Sequence, residues 1–112
     1  MKQFPAFIDL TDRSVLVVGG GAMAARRTAM AQRSNARVSV VAPELCEAFS
    51  VLAEVSHISE AFSDEHLDGK RLVFVASDDK GLEERVSVAA EARDILVNVA
   101  DRMELSTFIM PS

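Results

Sequence analysis

The sequence has no tryptophan, no tyrosine and a single cysteine among its 112 residues. Without Trp or Tyr there is no aromatic cage, and only Phe is left to stack on a nucleobase. One thiol, Cys46, allows neither an internal disulfide nor a thiolate metal cluster, and it reads as a small side chain packed on a helix. Basic residues are in deficit as well: 12 Lys and Arg against 17 Asp and Glu give a formal net charge of −5. That balance opposes the phosphate neutralisation on which nucleic-acid binding depends. No apolar run approaches the roughly 18 residues of a membrane span. Asp9, Asp12 and Arg13 fall where a signal peptide would need its apolar stretch. Neither nucleic acid nor membrane is expected as a partner, and the expected location is the cytoplasm.

What is present is apolar and periodic. Hydrophobic residues make up 49% of the chain, enough to enclose one core but too few residues for two ordinary domains, so residues 1–112 are read as one domain. Ser14–Val18 is a short β-branched run ending in glycines, the pattern of a parallel strand covered on both faces. A helix is expected from Ala22 to Ser34, with Asn35 as its stop. Arg37–Ala42 reads as a second strand ended by Pro43, Glu44–Glu54 as a helix, and Val55–Ile58 as a weaker strand at a sheet edge. Asp64–Leu67 offers one helical turn closed by Gly69, and Leu72–Ala76 a fully apolar strand. Ser77 or Asp78 can cap a helix from about Asp79 to Arg93, and Ile95–Val99 is a fifth strand. Phe108–Met110 reads as the opening of a sixth. Strands alternating with helices argue for an α/β, doubly wound parallel sheet of Rossmann type, with strand order 3-2-1-4-5.

Gly19-Gly20-Gly21-Ala22-Met23-Ala24 fits G-x-G-x-x-A and lies between the first strand and the first helix, the context that gives such a match meaning. Gly19 allows the tight turn, Gly21 lets the backbone approach a pyrophosphate, and Ala24 permits close helix–strand packing. The helix amino terminus supplies free N–H groups for that anion. Arg26 and Arg27 follow, but their spacing is that of a solvated helix face. Where an acidic residue would bond the adenosine ribose, the sequence has Ala42-Pro43-Glu44. Glu44 is the nearest carboxylate and is equally readable as a first-turn helix acid. The lack of Lys or Arg at positions 41 to 46 disfavours a 2′-phosphate, hence NAD over NADP.

Ligands in open parallel sheets sit beyond the carboxyl ends of the strands, which adds Ser77 and Asp78 to the candidate cofactor contacts and brings in Asp101. Asp78 and Asp79 are also readable as helix caps. Asp101 has no helix to cap, and facing a cofactor cleft it could act as a general base, or be an ordinary loop carboxylate. His57 and His66 lack partners at metal-ligand spacing and are read as surface histidines, so no metal site is expected. A nucleotide-sensing module that binds without chemistry remains an alternative, although such modules carry an acid at the end of the second strand, where this chain has Val41-Ala42-Pro43.

Phe4-Pro5-Ala6-Phe7-Ile8-Asp9-Leu10 and the glycine loop through Arg27 resemble the start of the precorrin-2 dehydrogenase/sirohydrochlorin ferrochelatase family, the amino-terminal Rossmann part of siroheme synthases. Val41-Ala42-Pro43, Ala76-Ser77-Asp78-Asp79, Asn98-Val99-Ala100-Asp101 and Phe108-Ile109-Met110-Pro111-Ser112 continue the resemblance in order. It implies oxidation of precorrin-2 to sirohydrochlorin with NAD in siroheme biosynthesis, and in many members insertion of ferrous iron. Asp101 would be the catalytic carboxylate, and Gly19, Gly21 and Ala24 the pyrophosphate loop. The resemblance also implies a homodimeric parent enzyme whose carboxyl-terminal dimerisation and substrate segment is absent here. A polycarboxylate substrate would find few basic groups near the cleft beyond Lys80 and Arg102.

Overall fold

Strand β1 (Ser14–Val18) is buried along almost its whole length because apolar side chains leave it in both directions. Leu16 and Val18 join one core cluster, Val15 and Val17 the other. The computed structural model describes residues 2–111. After β1 come α1 (Ala22–Arg33), β2 (Arg37–Val41), β3 (Ser56–Ile58), β4 (Leu72–Val75), α2 (Lys80–Ala92) and β5 (Leu96–Val99). The strands form one parallel sheet in the order β3-β2-β1-β4-β5, as the alternation of strand and helix predicts, with β3 at an edge.

One helix covers each face. Val86, Ala89 and Ala90 of α2 pack on Leu16, Val73, Val75, Val97 and Val99, whereas Ala24, Ala25 and Ala31 of α1 pack on Val15, Val17, Val40 and Phe74. The small residues of α1 let helix and sheet approach closely. Thr28, also buried there, returns its hydroxyl to the carbonyl of Ala24 at 2.8 Å. Both helices end on a short polar residue in left-handed conformation, Asn35 at φ 63° and Asp94 at φ 56°.

Three sequence expectations change. The helix expected over 44–54 is a single 3-10 turn, Glu47–Val51. Leu45, Phe49 and Leu52 do face the core at helical spacing, but the backbone is pinned at both ends. The N–H of Cys46 donates to the carbonyl of Gly20 at 2.8 Å, and Gln32 Nε2 donates to the carbonyl of Ala53 at 2.9 Å. Cys46 itself is exposed, not packed on a helix. The sixth strand expected at Phe108–Met110 is irregular chain. The free edge of β5 is closed by hydroxyls instead: Val97 N–H donates to Thr107 Oγ1 and Val99 N–H to Ser106 Oγ, each at 2.9 Å. The Val97 carbonyl accepts from the N–H of both Thr107, at 2.8 Å, and Phe108, at 3.4 Å, so the segment meets the edge at one residue and forms no ladder. Phe108 anchors the segment edge-on against Phe74, ring centroids 5.8 Å apart.

Candidate functional site

The carboxyl ends of the five strands open into a cleft of about 640 Å³. The sheet reverses its winding between β1 and β4, and there the loops after those strands part to make a crevice. Gly19–Met23 form its floor, with Ala42, Pro43 and Glu44 on one side and Ser77, Asp78 and Asp101 on the other. Every candidate site residue from the sequence thus lines it except Ala24, which is fully buried below the loop. A Cβ on Gly19 would lie 3.6 Å from the Ala24 methyl. Ala24 therefore supports the loop from beneath rather than facing the cleft.

The three glycines differ in what holds them. Gly19 has φ +130°, and a Cβ there would lie 2.0 Å from the carbonyl oxygen of Ala76. Gly20, at a variable position of the motif, is just as constrained, since its Cβ would lie 1.9 Å from the carbonyl oxygen of Glu44. At Gly21 a Cβ would meet nothing within 4 Å. That free space lies in the cleft, directly ahead of α1.

The two helix amino termini also differ. Gly21 caps α1 without a side-chain hydrogen bond, and no acidic residue follows in the first turn. Its orphan N–H groups and positive end therefore face the cleft unneutralised. At α2 the cap is Asp79, whose Oδ1 accepts from the N–H of Leu82 at 3.1 Å. Ser77 Oγ in turn accepts from the N–H of Asp79 at 3.0 Å. The expected caps, Ser77 or Asp78, give way to Asp79, which leaves Asp78 exposed on the cleft wall with no helix-capping bond. An anion therefore finds free backbone donors at α1 and not at α2. The loop fits the pyrophosphate of a dinucleotide.

Asp101 stands in a turn closed by the N–H of Arg102 donating to the carbonyl of Val99 at 3.0 Å. Its φ of 63° is one that glycine or asparagine usually takes at that turn position. Asp12, in a similar turn closed by Arg13 and Leu10, has φ 59° and lies outside the cleft lining. Conformation alone does not set Asp101 apart; its place on the cleft wall does.

The turn is tied to α2 through Arg102. Its guanidinium donates to Glu83 Oε1 and Glu104 Oε2, each at 3.1 Å, and lies 3.7 Å from Glu84. Glu83 is buried, its side chain only 7% exposed. The bond to Glu83 and then that to Glu104 hold the Arg102 pKa above its ordinary value. Glu104 is held below the ordinary carboxylate range by its own backbone N–H and then by Arg102. Arg102, one of the few basic groups expected near the cleft, is thus occupied by the chain's own acids, and Lys80, the other, does not line the cleft.

Sequence reasoning missed Glu60, Phe62, Leu82 and Arg85. The first two follow β3, and the rule that ligands gather beyond strand ends would have found them had the edge strand been included. His66 holds that segment, with Nε2 at 2.7 Å from Glu60 Oε1 and Nδ1 accepting from the N–H of Ser63 at 3.0 Å. Leu82 and Arg85 are three residues apart on α2, hence on one face. Among the described residues no cluster of His, Cys, Asp or Glu is arranged to hold a metal ion, and no helix is long and apolar enough to cross a membrane.

Comparison with known proteins agrees with this geometry. Over its whole length the chain is 41% identical to the siroheme synthase of Nitrosomonas eutropha, covering 24% of that protein. With the siroheme synthase of Nitrosospira multiformis the identity is 45%, covering 25%. The chain thus spans about a quarter of the length of these curated relatives. The solved structure of SirC, precorrin-2 dehydrogenase, superposes with a TM-score of 0.82 at 26% identity, over 98% of this chain and 55% of that one. A family model described as "Putative NAD(P)-binding" matches residues 6–112. The chain therefore belongs to this NAD(P)-binding family.

Proposed function

We propose that residues 1–112 are the NAD-binding domain of an NAD-dependent precorrin-2 dehydrogenase of siroheme biosynthesis, with Asp101 as its catalytic carboxylate. The observation that carries the reading is the uncapped start of α1 behind an open Gly21, in the same cleft as Asp101. The siroheme synthase relatives and the likeness to SirC support the substrate.

Gly19, Gly20 and Gly21, with the N–H groups of Ala22 and Met23, would hold the pyrophosphate, supported by Ala24. Ala42, Pro43 and Glu44 would border the adenosine ribose, Glu44 accepting from its hydroxyls. Ser77 and Asp78 would border the cofactor from the β4 side. No Lys or Arg among positions 41–46 would meet a 2′-phosphate, which favours NAD. When bound, NAD supplies the hydride acceptor. As a hydride leaves one carbon of the reduced tetrapyrrole, Asp101 would accept the proton from a second C–H or N–H bond, so that two electrons and two hydrogens leave the substrate. The same carboxylate could take pyrrole protons as ferrous iron enters sirohydrochlorin. We place the parent enzyme in the cytoplasm as a homodimer.

The test is calorimetric titration of the folded chain with NAD and with NADP, repeated on Gly21→Asp, followed by precorrin-2 oxidation monitored as NADH appears. NAD binding lost in the variant supports the reading. A folded chain that binds neither nucleotide overturns it, and binding without turnover in a polypeptide extended to the relatives' length would favour the nucleotide-sensing alternative.

A further inference from the structure

The charges around the cleft are lopsided. Glu44, Glu60, Asp78, Asp79 and Asp101 line it, and among the described residues Arg85 is the only Lys or Arg that does. A substrate carrying several carboxylates enters such a field against repulsion unless a cation meets it. The free amino terminus of α1 is assigned to the cofactor phosphates, and two other nearby positive features are already occupied. Arg102 is held by Glu83, Glu84 and Glu104, and the α2 amino terminus is neutralised by Asp79.

Arg85 differs from both. It is exposed, lines the cleft beside Leu82, and has no carboxylate within ion-pair distance among the described residues. Its position on α2 also matters. Glu83 and Glu84, just before it, grip Arg102, the residue after Asp101, so the stretch of helix carrying Arg85 is tied to the turn carrying the proposed base. A surface arginine is ordinarily solvated or paired along its helix. This one is unpaired in a cleft rich in acids, with a planar fork suited to a carboxylate.

We propose that Arg85 is a substrate-specificity residue: its guanidinium receives a carboxylate of the tetrapyrrole and sets which edge of the macrocycle faces Asp101. The inference rests on the dehydrogenase reading above. It assigns Arg85 to the substrate rather than to the cofactor, whose phosphates have the free amides of α1.

The experiment titrates the full chain, saturated with NAD, with uroporphyrin, a stable fluorescent tetrapyrrole bearing eight carboxylates, and measures NAD affinity separately by calorimetry. Loss of one charge-assisted contact should weaken porphyrin binding about 10- to 100-fold in Arg85→Ala. Arg85→Glu should weaken it further, Arg85→Lys should restore part, and NAD affinity should not change in any of them. Because Arg85 is exposed, all three variants should fold, which circular dichroism checks. Porphyrin affinity unchanged in Arg85→Ala overturns the inference, as does an unsubstituted chain that binds NAD but no uroporphyrin. Failure to bind NAD at all overturns the cofactor reading instead, and a parallel fall in NAD affinity in Arg85→Ala would reassign the residue to the cofactor.

Discussion

Adjacent glycines should respond to the same added methyl in opposite ways. In Gly20→Ala the new Cβ would sit 1.9 Å from the Glu44 carbonyl oxygen and 3.1 Å from the Ala42 methyl. Backbone must move to admit it, and the segment that must move is also held by the Cys46 N–H on the Gly20 carbonyl. Overpacking of this kind costs about 1–3 kcal/mol. In Gly21→Ala the methyl meets nothing within 4 Å, and φ is an ordinary −90°. Alanine is a poorer N-cap than glycine, but it also restricts the unfolded chain, so the net change should stay within about 0.5 kcal/mol. The methyl does, however, occupy the space a phosphate needs. Gly21→Asp adds charge to bulk: one carboxylate about 5 Å from a phosphate, at an effective dielectric constant of 20 to 80, costs roughly 1–3 kcal/mol, or about 5- to 150-fold in affinity. The assay pairs urea unfolding with NAD calorimetry. Gly20→Ala should lose stability, whereas Gly21→Ala and Gly21→Asp should keep it and lose NAD affinity in that order. If Gly21→Asp bound NAD as tightly as the unsubstituted chain, the loop would not be the phosphate site and the argument from the uncapped helix would be wrong.

Asp101→Asn should lower precorrin-2 turnover by about 10²- to 10⁴-fold while leaving NAD affinity unchanged, because asparagine tolerates the same positive φ and removes only the base; steady-state kinetics with calorimetry checks this. Asp79→Ala, which strips the cap from α2, should cost about 1 kcal/mol in urea unfolding. Leu67→Ala, at a side chain with no solvent exposure, should cost about 2–5 kcal/mol by the same measurement. Arg102→Met leaves the buried Glu83 carboxylate without its partner and should lower the unfolding midpoint more than Glu104→Gln does. Glu104 titrates below its ordinary 4.5 in the folded chain, so its contribution is complete above that value and fades as pH falls through the lower folded one. The difference in unfolding midpoint between the unsubstituted chain and Glu104→Gln should therefore shrink as pH falls below about 4.5, a trend absent if neither its own backbone N–H nor Arg102 holds the Glu104 carboxylate in solution.

Much of this was legible in the sequence because local signals and the global fold agree. β-branched runs buried on both faces, a glycine loop between strand and helix, and alternating strands and helices led to one sheet order, and the sheet has it. The errors fall where long-range contacts override local pattern. Leu45, Phe49 and Leu52 have helical spacing, yet a hydrogen bond to the Gly20 carbonyl and one from Gln32, both distant in sequence, hold that segment to one turn. Phe108-Ile109-Met110 looks like a strand, but Ser106 and Thr107 spend their hydroxyls on the β5 edge first. Gly20 shows the same limit within the motif. The pattern marks its position as variable, and only the approach of the Glu44 carbonyl makes glycine necessary there. Arg102 lies near the cleft in sequence, but three carboxylates hold it, and two of them, Glu83 and Glu84, are too distant along the chain for a linear reading to pair.

The distribution of charge links these observations to function. Backbone amides at α1 can hold a phosphate without any Lys or Arg in the loop, so the cofactor makes no demand on cationic side chains. That leaves the side chains of the cleft wall free to be acidic, and Asp101, the proposed base, is exposed on that wall. An acidic wall would repel a polycarboxylate in every orientation if no cation stood in it. A single unpaired one would change this, because it would make one orientation better than the others: a carboxylate on Arg85 would hold the macrocycle by one edge, while the acids around it would keep the remaining carboxylates away from Asp101. Repulsion and attraction then act together to orient the ring, and removing Arg85 should cost orientation as well as affinity.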